Sequence, residues 1–374
     1  MKIGVLRERK AGEKRVAIIP STVSALTKKG YSFVIQKNAG QASNYSDNLY
    51  IDAGATIGES QDVFNCDIVV KVSTPSTDEI SSLNSTTLLI SLFQTIKEID
   101  LVKQLKCSAF SLNLLPRTTL AQKMDILSSQ ANIAGYKAVL IGADHIGKYM
   151  PLLMTAAGTI SPSRTLVIGA GVAGLQAIAT AKRLGAQVEA FDVRPEVKEQ
   201  VESLGAKFIE VESDSDDGVG DGGYAKETSE AYKQKQQELM KERISKSDLV
   251  ITTALIPNRP APVLIPTNMV ESMMPGSVIM DLASENGGNC EYTEPGKIID
   301  HNGITIDGSF NIPGTMSIHA SQVYAKNISA LVTYLCPEGE LKLDMDDEIV
   351  SGALFTHNGD ITDERTKEAL GGMA

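Results

Sequence analysis

The chain has 374 residues, of which 42% are hydrophobic and 22% charged, a composition typical of a globular protein large enough for two cores. Its formal net charge of −11 disfavours nucleic acid as a partner. No uninterrupted apolar run reaches the roughly 18–20 residues of a membrane-spanning helix, and the N-terminus lacks the apolar core of a signal peptide. The cysteines and histidines show no metal-ligand spacing, so we expect reduced thiols, no metal and a cytoplasmic protein.

Strand and helix patterns alternate from the N-terminus, as in α/β domains with mostly parallel sheets. Five short apolar runs are predicted strands: Ile3–Leu6, Phe33–Ile35, Ile68–Val72, Leu88–Leu92 and Ala109–Leu112. Residues Met124 to Met150 carry the apolar spacing of a long connecting helix. We therefore predict a first α/β domain over residues 1–130, completed by residues 309–374, whose main helix is expected near Ser321–Leu335.

A glycine-rich turn follows the predicted connecting helix. An apolar strand ending at Ile168 leads into Gly169-x-Gly171-x-x-Gly174, and an amphipathic helix pattern comes next. The following strand, Val188–Phe191, is succeeded directly by Asp192. Strand, glycine turn, helix, strand and acid in this order form the fingerprint of a dinucleotide-binding site.

Each part of this fingerprint has a physical role. Gly169 permits the tight turn, Gly171 lets the backbone approach a pyrophosphate, and Gly174 lets the helix and strand pack closely. The helix N-terminus supplies N–H donors for the phosphates. Asp192 is placed to accept hydrogen bonds from the adenosine ribose and to repel a 2′-phosphate, which predicts NAD rather than NADP. Arg194 weakens that preference, because it is a cation two residues away.

We predict that this dinucleotide-binding domain covers residues 131–308. Its further strands are predicted at Lys207–Val211, Leu249–Thr253, Val278–Leu282 and Ile304–Ile306. An acidic, glycine-rich stretch at residues 212–224 interrupts the pattern, and a polar helix, Ser229–Ile244, follows it. Two interpretations of the stretch remain open: a solvated surface loop, or a flap that closes over the dinucleotide with Tyr224 as its contact.

Four polar side chains are concentrated near the start of the connecting helix: Arg117, Gln122, Asp125 and Ser128. Asp125 and Ser128 are three residues apart and are expected to share a helix face. Taken alone, these residues fit a solvated surface as well as a functional site.

Several longer motifs accompany these features. They are Glu13-Lys-Arg-Val-Ala17, Met124-Asp-Ile-Leu-Ser-Ser-Gln130, the segment from Gly169 to Gly185, Asp192-Val-Arg194, Gly222-Gly-Tyr-Ala-Lys-Glu227, Thr252-Thr-Ala-Leu-Ile-Pro257, Asp281-Leu-Ala283 and Gly287-Gly-Asn-Cys290. With these motifs, essentially the whole chain resembles the NAD(H)-binding, membrane-peripheral component of proton-translocating nicotinamide nucleotide transhydrogenases. The related alanine dehydrogenases share the fold and several of the motifs.

The resemblance implies an architecture and a function. The expected fold is α/β, with two Rossmann-like domains that have mostly parallel sheets, are joined by a long helix and have the cofactor cleft between them. NAD(H) is the expected cofactor, and hydride is expected to pass from NADH to NADP bound on a partner domain. The expected partners are that NADP-binding domain, membrane subunits and a second copy of the chain, which places the protein in the cytoplasm, peripheral on the inner face of the plasma membrane.

The resemblance also implies roles for individual residues. Arg117, Asp125 and Ser128 match the loop that orients the nicotinamide carboxamide, and Gln122 matches a residue that reaches toward the partner's nucleotide; Arg117, Gln122 and Asp125 form the expected catalytic set. The remaining expected cofactor contacts are Val172 at the pyrophosphate, Asp192, Val193 and Arg194 at the ribose, Gly223 and Tyr224 in a mobile loop, and Leu255 beside the nucleotide.

Two other functions remain possible from the sequence: an alanine dehydrogenase-like amino-acid dehydrogenase and a non-catalytic NAD-binding regulator. Arg15 and Lys71 match positions that hold carboxylate substrates in alanine dehydrogenases. Reducing a 2-oxo acid requires a proton donor at the developing oxyanion, however, and Gln94 stands where that family has a histidine. Hydride transfer between two nicotinamides needs no such donor, only two C4 atoms held about 3–3.5 Å apart.

Overall fold

The computed structural model describes residues 1–211, 230–256 and 259–371. The chain folds into two compact units, one formed by Met1–Gln130 with Pro313–Ala374 and the other by Ala131–Ile312. Each unit is an α/β structure around one large, mostly parallel sheet, which confirms the predicted fold class. Across the described ranges, no helix combines the length and apolar character needed to cross a membrane.

The N-terminal part of the first unit alternates strands and short helices. Its strands are β1 (Lys2–Val5), β2 (Ser32–Gln36), β3 (Thr56–Gly58), β4 (Ile68–Ser73), β5 (Leu88–Leu92) and β6 (Ser108–Ser111). Its helices are α1 (Pro20–Thr27), α2 (Asp47–Asp52), α3 (Ser60–Phe64), α4 (Thr77–Ser82) and α5 (Ile99–Val102). All six strands run parallel, and β4 and β5 are buried nearly throughout because parallel sheets are covered on both faces.

The predicted connecting helix is present as α6, Ile126–His145, shorter at both ends than the Met124–Met150 pattern. It begins before the boundary between the units and ends after it. An antiparallel hairpin then follows, formed by β7 (Leu153–Thr155) and β8 (Gly158–Ile160). The sequence did not indicate this hairpin, since its side chains are mostly exposed and form no apolar run.

The second unit has a seven-stranded sheet. Its strands are β9 (Arg164–Ile168), β10 (Gln187–Phe191), β11 (Lys207–Phe208), β12 (Leu249–Thr252), β13 (Val278–Asp281), β14 (Ile298–His301) and β15 (Ile304–Asp307), in the order β11-β10-β9-β12-β13-β15-β14. Its helices after α6 are α7 (Val172–Arg183), α8 (Lys198–Ser203), α9 (Glu230–Ser245) and α10 (Thr267–Val270). Because β9 pairs in parallel with both β10 and β12, the strand order reverses at β9, and ligands bind at such switch points in doubly wound sheets.

The predicted strand Lys207–Val211 is wrong in length, since only Lys207–Phe208 pairs with β10. The sheet also contains β14, an antiparallel edge strand that was not predicted.

The C-terminal residues return to the first unit. They form α11 (Ser317–Leu335), α12 (Glu348–Ala353), β16 (Leu354–His357), β17 (Asp360–Ile361) and α13 (Glu364–Gly371). Strand β16 adds antiparallel to β6, which gives the eight-stranded order β17-β16-β6-β5-β4-β1-β2-β3. Helix α11 contributes the buried residues Tyr324, Ile328 and Leu331 to the core beneath β1 and β4.

Candidate functional site

The turn after β9 contains three glycines, and the space available for a Cβ differs among them. Gly169 has a φ of +101°, and a Cβ there would lie 2.4 Å from Thr253 Oγ1. A Cβ on Gly174 would lie 1.8 Å from the carbonyl oxygen of Gly169. A Cβ on Gly171, by contrast, meets nothing within 4 Å. The protein therefore requires glycine at 169 and 174, whereas position 171 borders open space that a ligand can approach.

Helix α7 begins at Val172 directly above this open space. No side chain caps it, because its N-cap residue is Gly171. The first-turn N–H groups of such a helix point outward, and the helix dipole adds positive potential there, so the arrangement suits a phosphate. Val172 itself is 43% exposed, and its place beside a pyrophosphate stays a prediction.

The structure brings Asp192 to the same turn. One carboxylate oxygen accepts a 2.7 Å hydrogen bond from the Ala170 N–H and a 3.0 Å bond from Arg194 Nη2. The other accepts from the Arg194 N–H and Nε at 2.9 and 3.0 Å. Burial acts to raise the pKa of Asp192, but the hydrogen bonds from Arg194 and Ala170 outweigh it and hold the pKa below its usual value.

Asp192 is therefore ionised at neutral pH, and Arg194 offsets part of its charge. The Arg194 side chain remains 43% exposed and can present donors beside the carboxylate acceptors. Val193, between them, is 66% exposed. Arg194 therefore reduces the net negative charge that a ligand would meet beside Asp192.

Polar residues with little or no exposure to solvent, Thr253 and Asn289, hold the neighbouring loops at this sheet edge. Thr253 donates through Oγ1 to the Gly169 carbonyl at 3.1 Å. Asn289 accepts from the Ala254 N–H at 3.0 Å and donates to the carbonyls of Ala254 and Pro262 at 2.9 and 2.8 Å. Leu255, in the same loop, is 52% exposed.

Asp281, at the end of β13, is fully buried and organises the next loop. Its carboxylate accepts from Thr252 Oγ1, Thr293 Oγ1 and the N–H of Asn289 at 3.0, 2.6 and 2.7 Å. Sequence reasoning gave no role to Thr253, Asn289 or Asp281. The motifs Asp281-Leu-Ala283 and Gly287-Gly-Asn-Cys290 were the available signal, and the structure shows that they support the loops around the turn.

Helix α6 also supports the glycine turn from within the second unit. A Cβ on Gly135 would lie 2.0 Å from the Ala173 carbonyl, so only glycine allows this approach. Asn132 Nδ2 donates to Gln176 Oε1 at 3.1 Å. This contact was not predicted, because the apolar spacing of α6 does not single out its glycines.

In the first unit, Asp125 and Ser128 are in direct contact. Asp125 accepts from the Ser128 N–H at 2.9 Å and from Ser128 Oγ at 2.5 Å. The expectation of a shared helix face is wrong, because Asp125 precedes α6 with a ψ of 89° and its carboxylate accepts from the first helical turn. The pair is thus fixed by capping geometry.

Helix α11 anchors this segment. Asn327 accepts from Ser129 Oγ and donates to the Lys123 carbonyl, both at 2.8 Å. Arg117 and Gln122 are exposed, and their side chains make no hydrogen bond or ion pair with any described residue. The structure therefore holds Asp125 and Ser128 rigidly and leaves Arg117 and Gln122 available.

A second concentration of charge lies within the first unit, around a cavity of about 470 Å³ lined by Arg7, Glu8, Glu13 and Arg15 among others. Arg15 is bound at both guanidinium edges, by Glu13 at 2.6–2.8 Å and by Gln130 Oε1 at 2.8 Å. Beside it, Lys71 forms a 2.6 Å ion pair with Glu79, and both side chains are 2% exposed.

Glu8 joins this cluster through hydrogen bonds from the N–H groups of Val72 and Ser73 at 2.6 and 3.2 Å. Burial raises the pKa of Glu8 to about 7, although Lys71 and the Val72 N–H act to lower it. Gln94 is exposed and its N–H is bonded to Glu98. The predicted contacts Gly223 and Tyr224 lie outside the described residues.

Comparison with known proteins gives a consistent family. The family model "Alanine dehydrogenase/PNT, N-terminal domain" matches residues 4–134, and "Alanine dehydrogenase/PNT, C-terminal domain" matches residues 138–364. An NAD(P) transhydrogenase subunit alpha polypeptide of Rhodospirillum rubrum is 45% identical over 377 residues, covering 96% of this chain and 97% of that protein. The alanine dehydrogenase of Staphylococcus saprophyticus is 31% identical over 388 residues, covering 99% of this chain and 97% of that protein.

Two solved structures share the fold over nearly all of the chain. The transhydrogenase from Sinorhizobium meliloti superimposes with a TM-score of 0.86 at 39% identity, covering 98% of this chain and 100% of that one. An L-alanine dehydrogenase gives a TM-score of 0.84 at 26% identity and covers both chains completely.

Proposed function

Because the chain belongs to the alanine dehydrogenase/PNT family, we propose that it is the NAD(H)-binding component of a proton-translocating NAD(P) transhydrogenase. In this proposal, it holds NADH while hydride passes to NADP⁺ on a partner domain. The observation that carries the proposal is the turn after β9. Gly171 faces open space at the uncapped N-terminus of α7, and the ionised Asp192 is hydrogen-bonded to the same turn.

These residues fit a dinucleotide. The N-terminus of α7 would hold the pyrophosphate, and Asp192 with Arg194 would offer acceptors and donors to the adenosine ribose. Bound NADH would supply a hydride at C4 of its nicotinamide ring.

The other roles fall to side chains of the first unit. We assign Asp125 to accept from the nicotinamide carboxamide N–H, since Ser128 fixes the carboxylate in place. Arg117 would donate to the carboxamide oxygen. Gln122, whose amide makes no contact within the described residues, would position the incoming nucleotide of the partner.

This chemistry requires positioning rather than proton transfer. Hydride moves from carbon to carbon, so no oxygen gains charge that a protein acid must neutralise. The contribution of the chain is therefore to hold one ring at a fixed place and to exclude water from it.

Reconstitution tests the proposal directly. The purified chain would be mixed with the NADP-binding domain of a transhydrogenase, and reduction of an NAD analogue by NADPH would be followed optically. We expect hydride transfer that requires both proteins, at a rate that saturates as the concentration of the chain is raised. NADH binding without any transfer would favour a non-catalytic regulator instead.

An amino-acid dehydrogenase is the second candidate, because Arg15 lines a cavity together with Glu8, which Lys71 influences by its charge, and the chain is 31% identical to an alanine dehydrogenase. Against it, Lys71 is bound to Glu79 and buried, so it has no free charge for a carboxylate substrate. Incubation with NADH, pyruvate and ammonium would decide, and we expect no NADH oxidation.

We also propose that the protein is a homodimer that reaches the cytoplasmic face of the membrane through partner subunits. The β7–β8 hairpin supports the dimer, since a two-stranded sheet is only marginally stable alone and this one exposes Met154 by 79% and Ile160 by 43%, next to the exposed Leu152. Analytical ultracentrifugation of Met154→Lys would test it. Dissociation is expected, and an unchanged dimer would place the interface elsewhere.

A further inference from the structure

The amino-terminal edge of the second unit's sheet carries a second cavity, of about 520 Å³. Arg164, Gln187 and Lys207 line it, and each is the first residue of its strand, β9, β10 and β11. The last turns of α7 and α9 close the cavity through Lys182 and Arg243. The glycine turn lies beyond the opposite end of β9, so this cavity is separate from the candidate dinucleotide site.

The lining is strongly basic in a protein whose net charge is −11. Its cations are Arg164, Lys182, Lys207, Arg243 and Lys246, and its single carboxylate is Glu189. Glu189 is shared, because its oxygen lies 3.3 Å from Arg243 Nη1 and 3.9 Å from Lys207 Nζ. Lys246 is bound to Glu242. Among the described residues, the side chains of Arg164 and Lys182 have no acidic partner.

Helix dipoles alone do not explain this arrangement. Lys182 and Arg243 lie in last turns, where cations are favoured by the negative end of the helix. That effect accounts for their positions but not for Arg164 and Lys207, which begin strands β9 and β11 and line the same cavity. An anion in the cavity would offset these charges together.

We propose that this cavity binds a small anion with two or more phosphate groups. Phosphate oxygens accept hydrogen bonds from the arginine fork and from lysine ammonium groups. A cavity of about 520 Å³ with five separated cations exceeds what one phosphate needs. The group could be free pyrophosphate or the diphosphate of a nucleotide, and this chemistry is common to both.

Isothermal titration with pyrophosphate tests the proposal on the full chain. Saturating NADH is included to occupy the dinucleotide site, whose helix N-terminus also attracts phosphate. We expect binding to persist with NADH and to weaken at least tenfold in the double variant Arg164→Gln, Lys182→Gln. The control double variant Lys297→Gln, Lys367→Gln removes the same number of charges beside Glu294 and Glu364, away from the cavity, and is expected to bind as the parent does.

The melting temperature of the double variant separates a ligand role from a structural one. Since neither side chain has an acidic partner among the described residues, the melting temperature should stay near that of the parent while pyrophosphate affinity falls. Binding that the double variant leaves intact, or that NADH abolishes, would overturn the proposal. Repeating the titration with ADP in the presence of saturating NADH distinguishes the two candidate ligands. An affinity for ADP higher than that for pyrophosphate would indicate a nucleotide. None of these readouts depends on transhydrogenase activity.

Discussion

The two sheets have the same central topology but differ in the segment after the first strand. Strand β1 lies between β2 and β4, and β9 lies between β10 and β12, so each sheet has a switch point at its first strand. After β9, a short glycine turn leads straight into α7 and leaves its N-terminus open. After β1, residues 7–19 form a longer loop that buries Val16, Ala17 and Ile18 in the first core.

The loop after β1 also supplies its own charges. Glu13 pairs with Arg15, and Glu8 accepts from the backbone of β4. Topology thus offers a crevice in both units, but the residues after the first strand decide whether a phosphate can occupy it. The glycine turn exposes backbone donors, whereas the charged groups Glu8 and Arg15 of the longer loop are already bound by other residues of the first unit.

The largest effect is expected from Gly174→Ala, which tests why the turn has its shape. A Cβ 1.8 Å from the Gly169 carbonyl forces the backbone apart, so we expect a loss of about 3 kcal/mol in the free energy of unfolding. Gly171→Ala is the matched control, since its Cβ meets nothing within 4 Å. It should unfold like the parent but bind NADH at least about tenfold more weakly, which is about 1.4 kcal/mol. Equal NADH affinity in Gly171→Ala would show that no ligand approaches there.

The contrast between the sheets explains what could be predicted from sequence. Strands β1, β4, β5, β9, β12 and β13 were predicted closely because strands buried on both faces are continuous apolar runs. The edge strands β3, β14 and β17 were missed because they are short and partly polar, and the four-residue strand β16 was missed as well. Their position depends on neighbours far along the chain, as when β16 pairs with β6.

In the candidate site, too, the features that depend on nearby residues could be predicted, and those that depend on distant residues could not. The glycine turn and Asp192 are close in sequence and follow a local pattern, so they could be recognised. The support from Thr253, Asn289 and Asp281 joins residues that are distant in sequence, and no local spacing indicates it. The position of Asp125 ahead of α6, rather than within it, was missed because capping depends on one backbone angle.

The next largest effect concerns Gln122→Asn, which asks whether the exposed loop of the first unit positions a reacting nucleotide. Shortening the side chain by one methylene should slow single-turnover hydride transfer on the order of 100-fold, because errors near 1 Å in reacting geometry have that effect. NADH affinity should hardly change, since the role assigned to Gln122 concerns the partner's nucleotide. Transfer at the parental rate would remove Gln122 from the catalytic set.

A pH experiment tests the charged loop after β1. Folding raises the pKa of Glu8 from 4.5 to about 7, so the native state retains a proton that the unfolded chain has lost. The stabilisation is fully present below pH 4.5 and is lost as the pH rises through about 7. Relative to Glu8→Gln, the parent should therefore lose on the order of 2 kcal/mol between pH 5 and 8. The exposed Glu340→Gln should follow the parent curve, and parallel curves for the parent and Glu8→Gln would contradict the buried-carboxyl assignment.

The smallest effect is expected at the ribose end of the turn, where Arg194 already offsets Asp192. Asp192→Asn removes the charge and retains an acceptor for the Ala170 N–H, so the glycine turn should persist and the melting temperature should change little. Repulsion of a 2′-phosphate would be lost while Arg194 becomes free to attract it. We expect the ratio of NADPH to NADH affinity to rise about tenfold, or about 1.4 kcal/mol, in fluorescence titrations. Arg194→Gln should move the ratio the other way, because the uncompensated carboxylate then faces the ribose alone. If both variants shift the ratio in the same direction, charge at this position does not decide between the two nucleotides, and the preference must come from the shape of the loop around Val193.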